Sequence, residues 1–271
     1  RLALFNYQSI NKLIMDISNF QYINVVFSQR VATVTIHRPE KRNALSPEVL
    51  SEITKAFKSL PLESEVNVIV LTGGEQYFSA GFDLNEIRKL EKLNNEAYTA
   101  LFHETYRSIL FCPLPVICAV GGAAIAGGFD LTMMCDFRYA SDKAKFGQRE
   151  IALSLTPILD PLWRIIGLGR AKELTLTGRI YDASEAKLIG YVNDIYPDGQ
   201  LLQNVFKIAS DMAQFDRQCL TETKQLSQQL LNQDLDSSMR IQEWLFRTYI
   251  GSKENHQRID TLLETLKKNK H

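Results

Sequence analysis

The sequence predicts an α/β core followed by a helical C-terminal region, and two patterns support this fold class. In the first part of the chain, short apolar or β-branched segments end at proline or at paired glycines and alternate with helical signals. From about residue 199 onward, Gln- and Lys-rich stretches carry leucines at the i, i+3 and i+4 spacing of amphipathic helices. We therefore predict a core at 1–198, with 1–24 as a candidate N-terminal extension, and a helical region at 199–271.

The predicted strands are short and mostly buried. Residues 1–30 carry weak punctuation and are interpreted as a leader followed by a first edge strand. The next strand alternates β-branched residues and ends before Pro39, as edge strands can. Two further strands are continuous apolar runs, each closed by a Gly-Gly pair. The predicted bounds of these three strands are 31–36, 66–72 and 116–120.

Helical signals lie between and after these strands. Ser46 as N-cap, Pro47 at the first helical position and an acid in the first turn predict a helix from about Pro47 to Ser59. Residues 83–111 are predicted to be helical, and residues 171–189 to alternate between helix and turn. The recurring strand–loop–helix order favours a repeated, spiral-like architecture.

Charge and cysteine content limit the classes of partner and compartment. The 31 basic and 31 acidic residues cancel, so there is no overall basic field for nucleic acid or an anionic membrane. The four cysteines lie in apolar surroundings without CxxC spacing, which predicts reduced, buried thiols. No apolar run reaches the roughly 18 residues of a membrane helix, and no secretory signal pattern is found. We expect a protein of the cytoplasm, or of an organelle matrix in a eukaryote, without nucleic-acid or membrane partners.

Two glycine-containing loops follow buried strands and could expose backbone amides to a ligand. They are Phe78–Asp83 and Ala124–Asp130. Small residues let a ligand approach the backbone, and a helix N-terminus leaves N–H groups unpaired. Two such groups that converge on one oxygen would form an oxyanion hole. Each loop, taken alone, is explained equally well as an ordinary turn.

Other familiar motifs lack a required residue. Gly122 and Gly127 have the spacing of a P-loop, but the Lys-Ser/Thr pair that should follow is missing. Tyr77 occupies the place of the first glycine in a GxSxG elbow around Ser79. The four histidines are scattered, and none pairs at metal-ligand spacing, so no metal site is predicted.

Five short segments together resemble the crotonase (enoyl-CoA hydratase/isomerase) superfamily, over a range from about Val25 to at least Pro197. They occur in family order at 78–83, 115–122, 127–131, 134–136 and 146–150. Enzymes of this family polarise the carbonyl of an acyl-CoA thioester in an oxyanion hole and stabilise an enolate-like intermediate. The resemblance implies a spiral of ββα repeats whose C-terminal helices assemble trimers or hexamers. It also implies no permanently bound cofactor, because coenzyme A is part of the substrate; an acyl-carrier-protein thioester is the alternative carrier.

The resemblance also implies roles for individual residues. The backbone N–H groups of Phe82 and Gly127 are the implied oxyanion donors. Asp130 corresponds to the acid that positions water, and Glu150 to the acid that exchanges the Cα proton. Hydratases of the family usually carry glutamate at both positions, so Asp130 is a departure that a bridging water could accommodate. The implied contacts to coenzyme A are Lys41, Arg42, Ala44, Ala80, Asp83 and Leu84.

Both acids also have a purely structural interpretation, and a nearby loop departs from the family. Asp130 could interact with a helix N-terminal dipole, and Glu150 could be a surface residue beside Arg149. The family's Pro-Gly-x-Gly-Gly loop is replaced by bulky residues at 156–163, which predicts altered acyl specificity. Asp160 could be a third acid, but Asp-Pro is also an N-cap followed by an N1 proline, and we favour the N-cap.

The leading hypothesis is an enoyl-CoA hydratase. Other outcomes of the same enolate remain open, namely enoyl- or dienoyl-CoA isomerisation, decarboxylation and carbon–carbon cleavage. Dienoyl-CoA isomerases carry aspartate at the position of Asp130, but their further acid would fall at Ile158. A hypothesis of another class is a non-catalytic binding protein with the same fold. The presence of both acids and both loops argues against it.

Overall fold

The protein has the predicted α/β architecture. The computed structural model describes residues 19–91, 95–231 and 233–268. The predicted leader and most of the candidate extension at 1–24 lie outside the described residues. The chain divides into two compact units between Thr221 and Glu222. All the strands of the described chain belong to the first unit, and the last helices form the second.

Two sheets form the first unit. The described strands are β1 (Ile23–Ser28), β2 (Val31–Ile36), β3 (Val68–Thr72), β4 (Tyr77–Ser79), β5 (Val116–Val120), β6 (Ala123–Ile125), β7 (Phe137–Ser141), β8 (Lys145–Gly147), β9 (Tyr181–Asp182) and β10 (Asp194–Tyr196). The larger sheet has the order β1-β2-β3-β5-β7-β10, and only its β1–β2 pair is antiparallel. The smaller sheet has the order β4-β6-β8-β9, and only its β8–β9 pair is antiparallel.

The described residues contain eleven α-helices. They are α1 (Pro47–Ser59), α2 (Leu84–Lys89), α3 (Glu96–Leu110), α4 (Gly127–Met133), α5 (Leu162–Ile166), α6 (Leu168–Thr177), α7 (Ala183–Leu188), α8 (Leu201–Ala213), α9 (Arg217–Leu230), α10 (Leu235–Tyr249) and α11 (Lys253–Lys268). Helix α1 has its predicted bounds, and Ser46 Oγ accepts from the N–H of Val49 at 3.5 Å.

The central strands are buried on both faces, which explains their continuous apolar sequences. Every residue of β3 and β5 is buried. One face, with Val68, Val70 and Ile117, packs against the apolar side of α8, including Val205 and Ala209. The other face contributes to the main core with α1. Because α8 closes one face of the sheet, the first compact unit continues past residue 198.

Three expectations from the sequence need correction. The helix predicted over 83–111 is two helices, because Leu90 ends α2 in an extended conformation (φ −77°, ψ 135°). The strand predicted from residue 66 begins at Val68; the N–H of Asn67 donates to the carbonyl of Arg30, and its side-chain Nδ2 donates to the carbonyls of Ala213 and Phe215. Three of the four cysteines are buried free thiols as predicted, but Cys219 is exposed. No helix in the described ranges has the length and apolar character needed to cross a membrane.

Candidate active site

The first donor loop, defined as residues 79–83, follows β4 and is held by buried side chains. Ser79 Oγ donates to the carbonyl of Asn43 at 2.7 Å and accepts from the N–H of Gly81 at 3.2 Å. Gly81 has a φ of +92°, which glycine adopts without steric cost. Within the described chain, the amide of Phe82 has no hydrogen-bond acceptor, so it can serve a ligand.

The second donor loop, defined as residues 125–128, connects β6 to α4. The N–H of Ala126 donates to the carbonyl of Gly147 at 2.8 Å. Ala126 itself has φ 50° and ψ −128°, a region that disfavours any residue with a side chain. Gly127 is the first residue of α4, a position whose N–H has no partner inside the helix. No described residue outside the helix accepts from it either.

The two donor loops pack directly against each other. A Cβ placed on Gly128 would lie 2.5 Å from the carbonyl oxygen of Ser79. A Cβ on Gly81 would lie 3.3 Å from the amide nitrogen of Gly127. Only residues without a side chain permit this approach. The amides of Phe82 and Gly127, which have no acceptor in the described chain, therefore belong to loops in contact.

Asp130 lies in the first turn of α4 and is almost completely buried, at 2% exposure. Both of its carboxyl oxygens have a donor. The hydroxyl of Tyr106, on α3, donates to Oδ2 at 3.3 Å, and Nε2 of Gln148 donates to Oδ1 at 3.1 Å. Gln148 is itself fixed, since the same Nε2 donates to the carbonyl of Ile158 at 2.7 Å. These contacts fix the orientation of the Asp130 carboxyl.

Glu150 is also buried, at 5% exposure, but its carboxyl has no partner. It begins a 3-10 turn, Glu150–Leu153, shortly after β8. Neither Oε1 nor Oε2 has a hydrogen bond within the described chain. A buried carboxyl without partners is costly for folding, so it calls for a functional explanation.

The environment raises the pKa of both carboxyls. Burial is the main cause for Asp130, and the nearby Glu150 adds to it, while the hydrogen bonds from Gln148 and Tyr106 oppose the rise in pKa. Burial likewise raises the pKa of Glu150. Two close carboxyls with raised pKa values titrate as a pair that can share one proton. Buried carboxyls with raised pKa values are candidates for general acid–base catalysis.

Two cavities meet at Glu150 and Phe82, which line both of them. The first, of about 350 Å³, also contains Asp130 and has a largely apolar wall that includes Ile87, Leu90, Tyr98, Phe102 and Ile158. The second, of about 310 Å³, is lined by residues that include Ala80, Leu84, Ala126, Arg149 and Leu153. The reacting part of a ligand could thus lie beside the carboxyls while its two ends extend into different cavities.

The segments predicted to contact coenzyme A run side by side. The carbonyl of Arg42 accepts from the N–H of Ala80 at 3.0 Å. Leu45 donates to the carbonyl of Gly81 at 2.8 Å and accepts from the N–H of Asp83 at 3.1 Å. The structure therefore brings the predicted positions of 41–45 next to those of 80–84.

The side chains on these segments differ in what they can offer to a ligand. Lys41 and Arg42 are exposed, and Leu84 is 59% exposed. Asp83, in contrast, is engaged within the protein. It accepts from Arg38 Nη1 at 2.9 Å and from the N–H of Asn85 at 3.0 Å, so it caps α2. Its carboxylate holds the loop.

The prediction that Asp160 is an N-cap is wrong. Pro161 occupies the cap position of α5 without a side-chain hydrogen bond. Asp160 instead pairs with Arg164, whose Nε lies 2.8 Å from Oδ1, and this hydrogen bond lowers the pKa of the Asp160 carboxyl. Asp160 also lines neither cavity, whereas Ile158 of the same loop lines the first. The bulky loop therefore reaches the cavity through an apolar side chain.

Three residues of the site were not singled out from the sequence. Gln148 lies inside the motif at 146–150 that resembles the family, two residues before Glu150, so the sequence could have indicated that it belongs to the site. Tyr106 and Tyr98 lie within a predicted helix whose sequence gives no indication of which side faces the carboxyls. Their roles depend on how α3 packs, which is long-range information.

Two contacting loops with available amides and a buried carboxyl pair thus lie around one cavity of an α/β fold, as in enzymes that act on a carbonyl by acid–base chemistry. The chain belongs to the enoyl-CoA hydratase/isomerase family, whose model matches residues 26–270.

Similar proteins match this chain over almost its whole length. A probable enoyl-CoA hydratase of Mycobacterium bovis is 32% identical over 248 residues, which cover 90% of this chain and 96% of the relative. A crotonyl-CoA hydratase of Syntrophomonas wolfei is 32% identical and covers 92% and 98%. The crystal structure of an enoyl-CoA hydratase from Bacillus anthracis matches with a TM-score of 0.87 at 30% identity, covering 90% of this chain and 97% of that one.

Proposed function

We propose that this protein is an enoyl-CoA hydratase, which adds water across the α,β double bond of an enoyl thioester. The observation that carries the proposal is the buried Glu150 carboxyl, whose oxygens have no partner in the described chain, in the same cavity as Asp130. The activities named for the similar proteins support the same reaction.

In this proposal the thioester oxygen accepts hydrogen bonds from the amides of Phe82 and Gly127. Addition of a nucleophile at Cβ moves electrons through Cα toward that oxygen, so negative charge develops there. Fixed N–H donors stabilise this charge without reorganising during the reaction. The tight packing of the two loops, and their glycines, support such preorganisation.

The two acids divide the proton transfers. Asp130, ionised and oriented by Tyr106 and Gln148, holds a water and takes one proton from it as the oxygen bonds to Cβ. Glu150, protonated, delivers a proton to Cα. The substrate gains one hydroxyl and one hydrogen, and the proton now on Asp130 restores the starting state through exchange with Glu150 or solvent. The shared, raised pKa of the pair supports this single-proton cycle.

We assign the carrier as coenzyme A, bound along 41–45 and 80–84. Lys41 and Arg42 are exposed and form no ion pair with described residues, so they can meet phosphates. An acyl-carrier-protein thioester lacks the adenine nucleotide, and would lose those contacts. A reaction of coenzyme A thioesters would place the protein in the cytoplasm or, in a eukaryote, in an organelle matrix.

We further propose that the C-terminal helices assemble the chain into a trimer or a pair of trimers. Helices α10 and α11 expose large apolar side chains, which on a soluble surface indicate an interaction site. They include Leu235, Met239, Trp244, Phe246, Leu262, Leu263 and Leu266. Light scattering at micromolar concentration should give three or six times the chain mass, and a stable monomer would contradict this assembly.

Hydration of crotonyl-CoA by two variants tests the proposed reaction. Glu150→Gln keeps the size of the side chain but cannot transfer a proton, so kcat should fall by about 10²–10⁴. Asp130→Asn should abolish hydration while sparing solvent deuterium exchange at Cα of a bound saturated thioester. Glu65→Gln, which changes an exposed glutamate outside the site, is the matched control. If the wild-type protein neither hydrates nor exchanges any thioester, the non-catalytic alternative is the better account.

A further inference from the structure

The hydroxyl of Tyr98 is a buried polar group that the proposed mechanism does not use. Tyr98 lies in the first turn of α3, is 8% exposed and lines the first cavity. Its hydroxyl has no hydrogen-bond partner within the described chain. Leaving a buried donor unpaired is unfavourable for folding, so a partner is expected to arrive with a ligand.

The ring of Tyr98 is fixed relative to the reacting centre. It contacts the ring of Phe82 edge-on, with centroids 6.0 Å apart, and that of Phe102 with centroids 6.2 Å apart. Phe82 is the residue whose amide is a proposed oxyanion donor. Tyr98 therefore contacts the proposed thioester site through Phe82. It lies on the cavity wall that α2 and α3 form, whereas the carboxyls lie on α4 and on the 3-10 turn.

The surroundings of the hydroxyl restrict what it can bind. The same wall includes the apolar side chains of Ile87, Leu90 and Phe102, with Glu91 and Asn95 as polar residues between α2 and α3. The hydroxyl of Thr99, also on the cavity wall, already donates to the carbonyl of Asn95 at 2.9 Å. Few polar groups in a mainly apolar pocket are the groups that set ligand specificity.

The charges near Tyr98 further limit the type of ligand atom that its hydroxyl can bind. Burial raises the pKa of Tyr98 far above its usual range, and the negative charges of Asp83 and Glu86 add to this. The hydroxyl therefore stays protonated and donates. The same two carboxylates disfavour an anionic ligand group at this point, because like charges repel in a partly desolvated site. The expected acceptor is a neutral oxygen.

We propose that Tyr98 determines substrate specificity by donating a hydrogen bond to a neutral oxygen, such as a hydroxyl or carbonyl, on the distal part of the acyl chain. The preferred substrates are then oxygen-bearing enoyl thioesters rather than plain hydrocarbon ones. This inference rests on the proposed function, because it assigns the first cavity to the acyl group.

Calorimetric binding of saturated thioesters tests the inference without requiring turnover. The ligands are hexanoyl-CoA and its 4-, 5- and 6-hydroxy derivatives, measured with the wild-type protein, Tyr98→Phe and Tyr181→Phe. Tyr181 is the matched control, because its hydroxyl is also buried and has no partner among the described residues, and Tyr181 lines neither cavity. One neutral hydrogen bond should make the best hydroxy derivative bind about 3- to 10-fold tighter than hexanoyl-CoA. Tyr98→Phe should remove this preference, and Tyr181→Phe should retain it.

The other outcomes overturn the inference in distinguishable ways. Equal wild-type affinity for all four ligands, or a preference that survives in Tyr98→Phe, refutes the role of Tyr98 while leaving hydration of crotonyl-CoA as a separate result. An equal loss of affinity for every ligand in Tyr98→Phe would assign the residue a packing role only. Absence of binding for all four ligands would refute both the inference and the proposed function on which it rests.

Discussion

Replacing Tyr106 by phenylalanine removes one of the two side-chain hydrogen bonds that stabilise the ionised form of Asp130. The bond joins the tyrosine hydroxyl to Oδ2 and is 3.3 Å long. A hydrogen bond to an ionised group contributes about 1.5–3 kcal/mol, and this length places it at the lower end. Since one pKa unit corresponds to about 1.4 kcal/mol, the pKa of Asp130 should rise by about one unit in the variant.

The pH dependence of kcat/KM for crotonyl-CoA measures this shift. Asp130 must be ionised to accept the proton of water, so a raised pKa removes activity from the acid side of the profile. The acid limb should therefore move about one unit toward higher pH, with a loss of about tenfold at a pH on that limb. Between the two apparent pKa values of the pair, where one proton is bound, the two enzymes should differ much less.

The position of the limb distinguishes this effect from a general disturbance of the site. A packing defect would lower the whole profile without moving the limb. Tyr181→Phe, which removes an unpaired hydroxyl outside both cavities, should leave the limb unchanged. A limb that stays in place or moves toward lower pH in Tyr106→Phe would refute the assignment of Asp130 as the ionised base.

Two further predictions concern the carrier site and the second donor loop. Alanine at both Lys41 and Arg42 should raise KM for an acyl-CoA while leaving kcat largely intact, and an unchanged KM in steady-state assays would remove both residues from the carrier site. Ala126→Gly should relieve the backbone strain at φ 50°, ψ −128°, and after the entropic penalty of glycine it should stabilise the fold by about 1 kcal/mol. Thermal unfolding should then show a Tm about 2–4 °C higher, and a lower Tm would show that the alanine is not strained.

Elements with a local physical cause were predicted well from the sequence. The strand Val31–Ile36 and the helix Pro47–Ser59 have their predicted bounds, because alternation, an N-cap and an N1 proline act within a few residues. The break between α2 and α3 was missed, because the apolar pattern continues through Leu90 although its backbone is extended. A one-dimensional pattern does not show where a helix must turn to pack.

The same distinction applies to the candidate site. The two donor loops and both acids lie in short motifs, so the sequence could name them, and the structure places them in contact or in one cavity. The roles of Tyr106 and Tyr98 depend on which side of α3 faces α4 and the first donor loop, and no local pattern contains this information. Asp160 shows the opposite failure, because a strong local signal for an N-cap lost to an ion pair with Arg164.

The two acids have different environments, which bear on the roles proposed for them. Burial raises the pKa of both carboxyls, but only Asp130 has a side-chain donor on each carboxyl oxygen, and these donors favour its ionised form. The proposed division of roles places the shared proton on Glu150, the acid proposed to protonate Cα, and the two donors to Asp130 support this placement against the effect of burial on Asp130. The departure from the usual glutamate at position 130 fits this division. An aspartate has one fewer rotatable bond, and with Tyr106 and Gln148 fixing both oxygens, it can hold a water in one orientation.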